Sequence, residues 1–154
     1  MKLVLMRHAE AEPLRLADSE RALTARGHRQ AEEAGRWLSM KISQPFILAS
    51  SPYRRARETA AELQLVMPLA ALHIVERITP EDLLRNALSE LEAVANGEVV
   101  VVVTHMPLVA GLAGWLEHGV MTGSPFSLAE ARLYDLDLLG PSQARLLDRF
   151  VPVA

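Results

Sequence analysis

Leu3-Val4-Leu5-Met6-Arg7-His8 is the stretch from which the rest of the chain can be read. Four consecutive apolar residues with no polar alternation predict a strand buried on both faces, the habit of a central parallel strand. The run stops abruptly at a cation and an imidazole. The same pattern recurs twice. Phe46-Ile47-Leu48-Ala49 leads into Ser50-Ser51 and then Arg54, Arg55 and Arg57, and Val99 to Thr104 leads into His105.

Between these strands the apolar spacing changes to that of helices. Residues 9–22 read as a polar loop holding Pro13, and Thr24 as the N-cap of a helix over about 25–42 with Ala31, Ala34 and Leu38 on its inner face. Ser51-Pro52 reads as a helix start, Ser as N-cap and Pro at the first turn, with Ala56, Ala60, Leu63 and Met67 as its stripe. Leu72 to Val75 is a short strand. Thr79-Pro80-Glu81-Asp82 opens a helix that ends before Asn96-Gly97. Pro107 sits at the first position of a helix reaching about Glu117. Arg132 to Leu138 alternates like a half-exposed strand, Gly140-Pro141 turns, and Ala144 to Phe150 pairs back antiparallel. Strands alternating with helices give an α/β fold: a three-layer α/β/α sandwich with a mostly parallel central sheet, residues 1–154 forming a single domain.

In such sheets, ligands bind beyond the carboxyl ends of the strands, where helix N-termini favour anions. Three strand ends here carry Arg7-His8, Ser50-Ser51 and Thr104-His105. The pattern alone predicts an anion site built from two histidines and several arginines.

Composition narrows the chemistry. There is no cysteine, so disulfides, thiolate metal sites and thiol nucleophiles are excluded. The net charge of −3 argues against a nucleic-acid binder, and the absence of a long apolar run predicts a cytoplasmic protein without a membrane segment. The charge is unevenly spread: residues 1–57 hold eleven Lys/Arg against six Asp/Glu, and residues 58–154 hold five against thirteen. Of five histidines, His28 and His118 read as solvated or helix-end residues, and His73 has no evident partner. A metal centre would need a third ligand such as Glu10 or Glu12, and the neighbouring arginines would repel a cation, so no metal or other cofactor is expected. Periodicity does not choose among Arg54, Arg55 and Arg57.

Arg7-His8 after the opening strand, Leu23-Thr24 with Gly27 opening a helix, Ser51-Pro52-x-x-Arg55-Ala56-x-x-Thr59, and the late Thr104-His105 together resemble one family over residues 1 to about 112. It is the histidine phosphatase superfamily, with its phosphoglycerate mutase-like fold. Arg21-Ala22-Leu23-Thr24 and His105-Met106-Pro107-Leu108-Val109 resemble its SixA-type phosphohistidine phosphatases. The resemblance implies His8 as nucleophile and Arg7, Arg55 and His105 as the rest of a phosphate pocket. It also implies a further contact from Arg21. Independently of the resemblance, the helix N-termini near Ser51 and Met106 are expected to add backbone N–H groups. His105 is expected to act protonated or as a neutral donor.

Many members of this superfamily also supply an acid for an alkoxide leaving group. Glu76, Glu81 and Asp82 lie in the corresponding part of the chain, but no motif fixes one of them. A missing acid favours a phosphoramidate substrate, whose imidazole leaves readily. The expected activity is that of a hydrolase, a phosphohistidine phosphatase acting on a histidine-containing phosphotransfer domain or similar signalling protein and releasing phosphate. Two alternatives stay open: a sugar-phosphate monoesterase using the same pocket, and a non-catalytic module that binds phosphoproteins. The sequence calls for no more than a monomer.

Overall fold

In the computed structural model, residues 1–13 and 17–154 are described. The opening apolar run lies within strand β1 (Lys2–Arg7), and Thr24 caps helix α1 (Ala25–Lys41) by accepting the Gly27 N–H. Strand β2 (Phe46–Ser50), helix α2 (Arg54–Val66), strand β3 (Ala70–Ile74) and helix α3 (Leu84–Val94) follow. Strand β4 (Val100–Thr104), helix α4 (Leu108–His118) and strands β5 (Ala131–Leu136) and β6 (Ala144–Phe150) complete the chain. The polar loop expected over 9–22 is found in part, with a short 3₁₀ turn at Asp18–Glu20; residues 14–16 lie outside the described residues.

The six strands form one mixed sheet in the order β3-β2-β4-β1-β5-β6. The pairings among β3, β2, β4 and β1 are parallel, and β5 and β6 add antiparallel. The period-two alternation of a strand divides each run between two helical layers. Val4, Met6, Leu48, Val101 and Val103 pack with Ala31, Ala34 and Leu38 of α1 and Ala56, Ala60 and Leu63 of α2. Leu3, Leu5, Ile47, Val100 and Val102 pack with Ala87 and Leu91 of α3 and Leu108, Leu112 and Leu116 of α4. Full burial of such a side chain contributes about 1.5–3 kcal/mol, so the runs that predict strands also hold the layers together.

Several boundaries differ from expectation. Ser51 does not cap α2, which starts at Arg54 after Tyr53; its hydroxyl accepts the Tyr53 N–H inside a preceding turn. Thr79 does not cap α3: its N–H and hydroxyl both donate to Asp82, and the helix begins two residues later. Pro107 is the N-cap of α4 and not its first residue. β3 starts two residues earlier than predicted, because as an edge strand it is largely exposed and its apolar pattern is weak. β5 is nearly all buried instead of half-exposed, because Arg132, the polar residue of the alternation, is itself buried against Glu130.

The register places the functional edge. Arg7 pairs with Thr104 across β1 and β4, and Ser50 with Val103 across β2 and β4. All three polar strand ends therefore open on the same side of the sheet.

Candidate active site

A cavity of about 390 Å³ opens at this edge. It is lined by Arg7, His8, Glu10, Ala11, Asp18, Arg21, Arg55, Pro80, His105, Met106 and Leu128. Six of the seven site residues expected from the sequence are in its wall. Ser51 is behind it.

His8 leaves β1 with its backbone N–H donating to Thr104 O at 3.0 Å. Two side-chain contacts assign its proton. Arg55 Nε, a donor, lies 3.2 Å from His8 Nε2, and the Ala9 carbonyl, an acceptor, lies 2.7 Å from His8 Nδ1. The ring therefore carries its hydrogen on Nδ1 and presents the lone pair of Nε2. Burial, then Arg55, Arg7 and Arg21, lower its pKa to about 4 against the opposing Ala9 bond. The ring is a neutral base at pH 7.

His105 comes from the end of β4 with its ring 5.1 Å from that of His8. Its Nε2 is 2.7 Å from Ser51 Oγ. Ser51 Oγ already accepts the Tyr53 N–H, which leaves its own proton free for His105 Nε2; in that arrangement the neutral ring bears hydrogen on Nδ1. Burial, then His8, Arg55 and Arg7, push His105 down to about 2, so of the two expected roles the neutral donor fits. Ser51 acts on His105 and offers no backbone donor to the cavity, since its N–H is bound to Val103 O. Met106 lines the wall, and its sulfur accepts the Phe126 N–H.

The arginines are held from several elements. Arg55, in the first turn of α2 and 4% exposed, donates to His8 and, from its two terminal nitrogens, to the Asp18 carbonyl and carboxylate. Arg54 pairs with Glu58 and Arg57 with the Pro52 carbonyl, both outside the cavity. Arg21 donates to Glu12 O and to the other Asp18 oxygen. Arg7 donates to Phe126 O at 2.9 Å. Thr59 ties the motif together: its hydroxyl accepts the Ala9 N–H and donates to Arg55 O. Among the described residues, the buried side-chain polar atoms without a partner in the protein are Arg7 Nε and His105 Nδ1. Both belong to the cavity wall, where an oxyanion would supply acceptors.

Sequence reading missed Ala11, Asp18, Pro80 and Leu128, and weighed Glu10 only as a metal ligand. Burial raises the Asp18 pKa, but hydrogen bonds and charge from Arg21 and Arg55 outweigh it and hold the group below the usual carboxylate range. Glu10 accepts from the Thr24 hydroxyl and faces Arg26. Of the acids considered from sequence as a general acid, none lines the cavity: Glu76 and Glu81 are exposed and Asp82 is bound to Thr79. His28 pairs with Glu62 between α1 and α2. Among the described residues no cluster of three His, Asp or Glu is placed to hold a metal, and no helix is long and apolar enough to cross a membrane.

Residues 3–79 match the histidine phosphatase superfamily (branch 1). The chain is 33% identical to a phosphohistidine phosphatase SixA homolog of Haemophilus influenzae, over 75% of this chain and 77% of that protein. It is 31% identical to phosphohistidine phosphatase SixA of Escherichia coli, over 75% and 74%. A solved structure of the protein histidine phosphatase SixA complexed with tungstate superposes with a TM-score of 0.82 at 26% identity, covering 99% of this chain and 97% of that one.

Proposed function

The chain belongs to the histidine phosphatase superfamily, and from that premise we propose that it is a phosphohistidine phosphatase acting on a phosphorylated protein. The observation that carries the reading is His8 Nε2: a neutral, lone-pair nitrogen of a ring that lines a cavity together with three arginines.

The chemistry proceeds by two displacements. His8 Nε2 attacks phosphorus in line, its P–N bond forming as the bond from phosphorus to the substrate imidazole breaks. Attack requires Arg55 Nε to release the His8 lone pair, and its donors turn to the non-bridging oxygens with those of Arg7 and Arg21. His105 Nδ1–H adds a neutral donor. Water then attacks the phosphohistidine of the enzyme, releasing inorganic phosphate and restoring His8.

The leaving group favours a phosphoramidate over an ester. An alkoxide needs an acid placed at the bridging oxygen, whereas a phosphohistidine that already carries a proton on its distal ring nitrogen releases a neutral imidazole when the P–N bond breaks. Both carboxylates of the wall are engaged as acceptors, Asp18 by two arginines and Glu10 by Thr24, and Asp18 is held ionised. Relatives described as phosphohistidine phosphatases support the same choice. A histidine-containing phosphotransfer domain, or a similar signalling protein in the cytoplasm, fits as the substrate.

The test offers wild type and His8→Ala a phosphorylated phosphotransfer domain and a panel of sugar phosphates. Wild type should release phosphate from the protein and trap an acid-labile phosphate on His8. His8→Ala should do neither. Equal release by both enzymes, or strong selective turnover of a sugar phosphate, overturns the proposal.

A further inference from the structure

Glu130 and Arg132 form a buried ion pair that does not touch the cavity. Their side chains are 3% and 4% exposed and 2.6 Å apart. Desolvating two charges is costly, and pairing alone often fails to recover that cost compared with apolar residues of the same size. The pair therefore calls for a role beyond filling space.

Its contacts lead to the nucleophile. Arg132 donates to the carbonyls of Ser124 and Pro125, and its guanidinium stacks 3.7 Å from the Phe126 ring centroid. Glu130 accepts the Ser127 N–H on its other oxygen and faces Arg149 at 3.9 Å. The two side chains thus fix both ends of the turn over residues 124–130. That turn holds Arg7 and His8 by three bonds: Arg7 donates from its guanidinium to Phe126 O and from its backbone to Glu130 O, and Ala129 donates to His8 O. Ala129 makes its bond from a left-handed conformation, φ 58°. A residue with a Cβ pays about 1 kcal/mol or more there, so the surrounding contacts must impose it.

We propose that the Glu130–Arg132 pair is a positioning device: it locks the turn that aims the Arg7 guanidinium into the cavity and seats His8 at the end of β1. The inference rests on Arg7 being an oxyanion ligand, as proposed above.

Binding of sodium tungstate, measured by calorimetry, separates the two claims because it needs neither substrate nor turnover. The variants are Arg7→Ala, Arg132→Lys, and the double Glu130→Gln/Arg132→Met, which leaves neither partner's charge unpaired. Leu38→Ala, a core truncation in α1, serves as a control that loses stability elsewhere. The double variant should fold and bind tungstate about ten- to a hundredfold more weakly, the penalty of a misplaced ligand. Arg132→Lys, which keeps the charge but loses the fork on Ser124 and Pro125, should fall between it and wild type. Leu38→Ala should melt earlier yet bind like wild type. If Arg7→Ala binds tungstate like wild type, the reading of the site fails. If Arg7→Ala weakens binding while the folded Glu130 and Arg132 variants bind like wild type, the positioning role is refuted and the site stands. Should the double variant not fold, Arg132→Lys decides alone: wild-type affinity refutes the role.

Discussion

Lowering the pH from 7 to 5 should destabilise this protein steeply, and the two cavity histidines should account for most of the loss. An unfolded histidine with an ordinary pKa near 6.5 goes from about one-quarter to almost fully protonated over that interval. In the fold, His8 is held at about 4 and His105 at about 2, so neither follows. The unfolded state binds more protons, so stability rises with pH and falls as acid is added. The loss begins near the unfolded pKa of 6.5 and ends only near each folded value. Integrated between pH 7 and 5, each histidine costs about 2 kcal/mol, and the pair about 4 kcal/mol. Urea unfolding at pH 7, 6 and 5 for wild type, His8→Asn and His105→Asn measures this. The slope of stability against pH is the readout, because absolute stability also carries the packing change of each substitution. Each variant should lose about half of the excess slope, the other three histidines being common to all. Parallel slopes for wild type and both variants would refute the claim that the cavity holds its histidines neutral by burial and arginine charge.

Three further outcomes are expected. Gly27→Ala should destabilise by about 1–3 kcal/mol in thermal unfolding and reduce activity, because its methyl would meet the Glu10 carbonyl, two residues from His8. Asp18→Asn should tighten inhibition by inorganic phosphate about two- to fivefold, since the half-exposed carboxylate offsets Arg21 and Arg55; weaker inhibition would mean that Asp18 acts mainly by aligning Arg55. Leu63→Ala, a fully buried truncation in α2, should cost about 2–5 kcal/mol by urea unfolding without a change in the pH slope.

Sequence and structure agree most closely where one local rule decides. β1, β2 and β4 are apolar runs buried on both faces, and each ends at the polar residue where its run stops. Thr24 caps α1 because its hydroxyl reaches the Gly27 N–H three residues on. Ser51 and Thr79 mislead because the same chemistry that caps helices also closes turns: Ser51 accepts from Tyr53, and Asp82 accepts from Thr79. Arg55 could not be chosen over Arg54 and Arg57 until α2 had a rotation against the sheet. Asp18 carried no signal, since the cation it meets besides Arg21 lies 37 residues away in sequence. Phe126 reaches Arg7 through a backbone carbonyl, which no side-chain pattern encodes.

The uneven charge of the chain resolves differently from what its two halves suggest. Part of the positive excess before residue 58 is compensated across that boundary, by Arg54 with Glu58 and Lys41 with Asp148. What distinguishes the cavity is which cations converge there. Its wall carries Arg7, Arg21 and Arg55 against Glu10 and Asp18, with both histidines neutral at pH 7, so it bears one more formal positive charge than negative. That surplus attracts an anion, and the same arginines help keep His8 unprotonated. A phosphoryl group entering the cavity would offset the arginines and raise the basicity of both rings. In the mechanism proposed above, His8 would then be a free base before attack, and His105 would hold a proton more readily when the charge it is proposed to stabilise arrives.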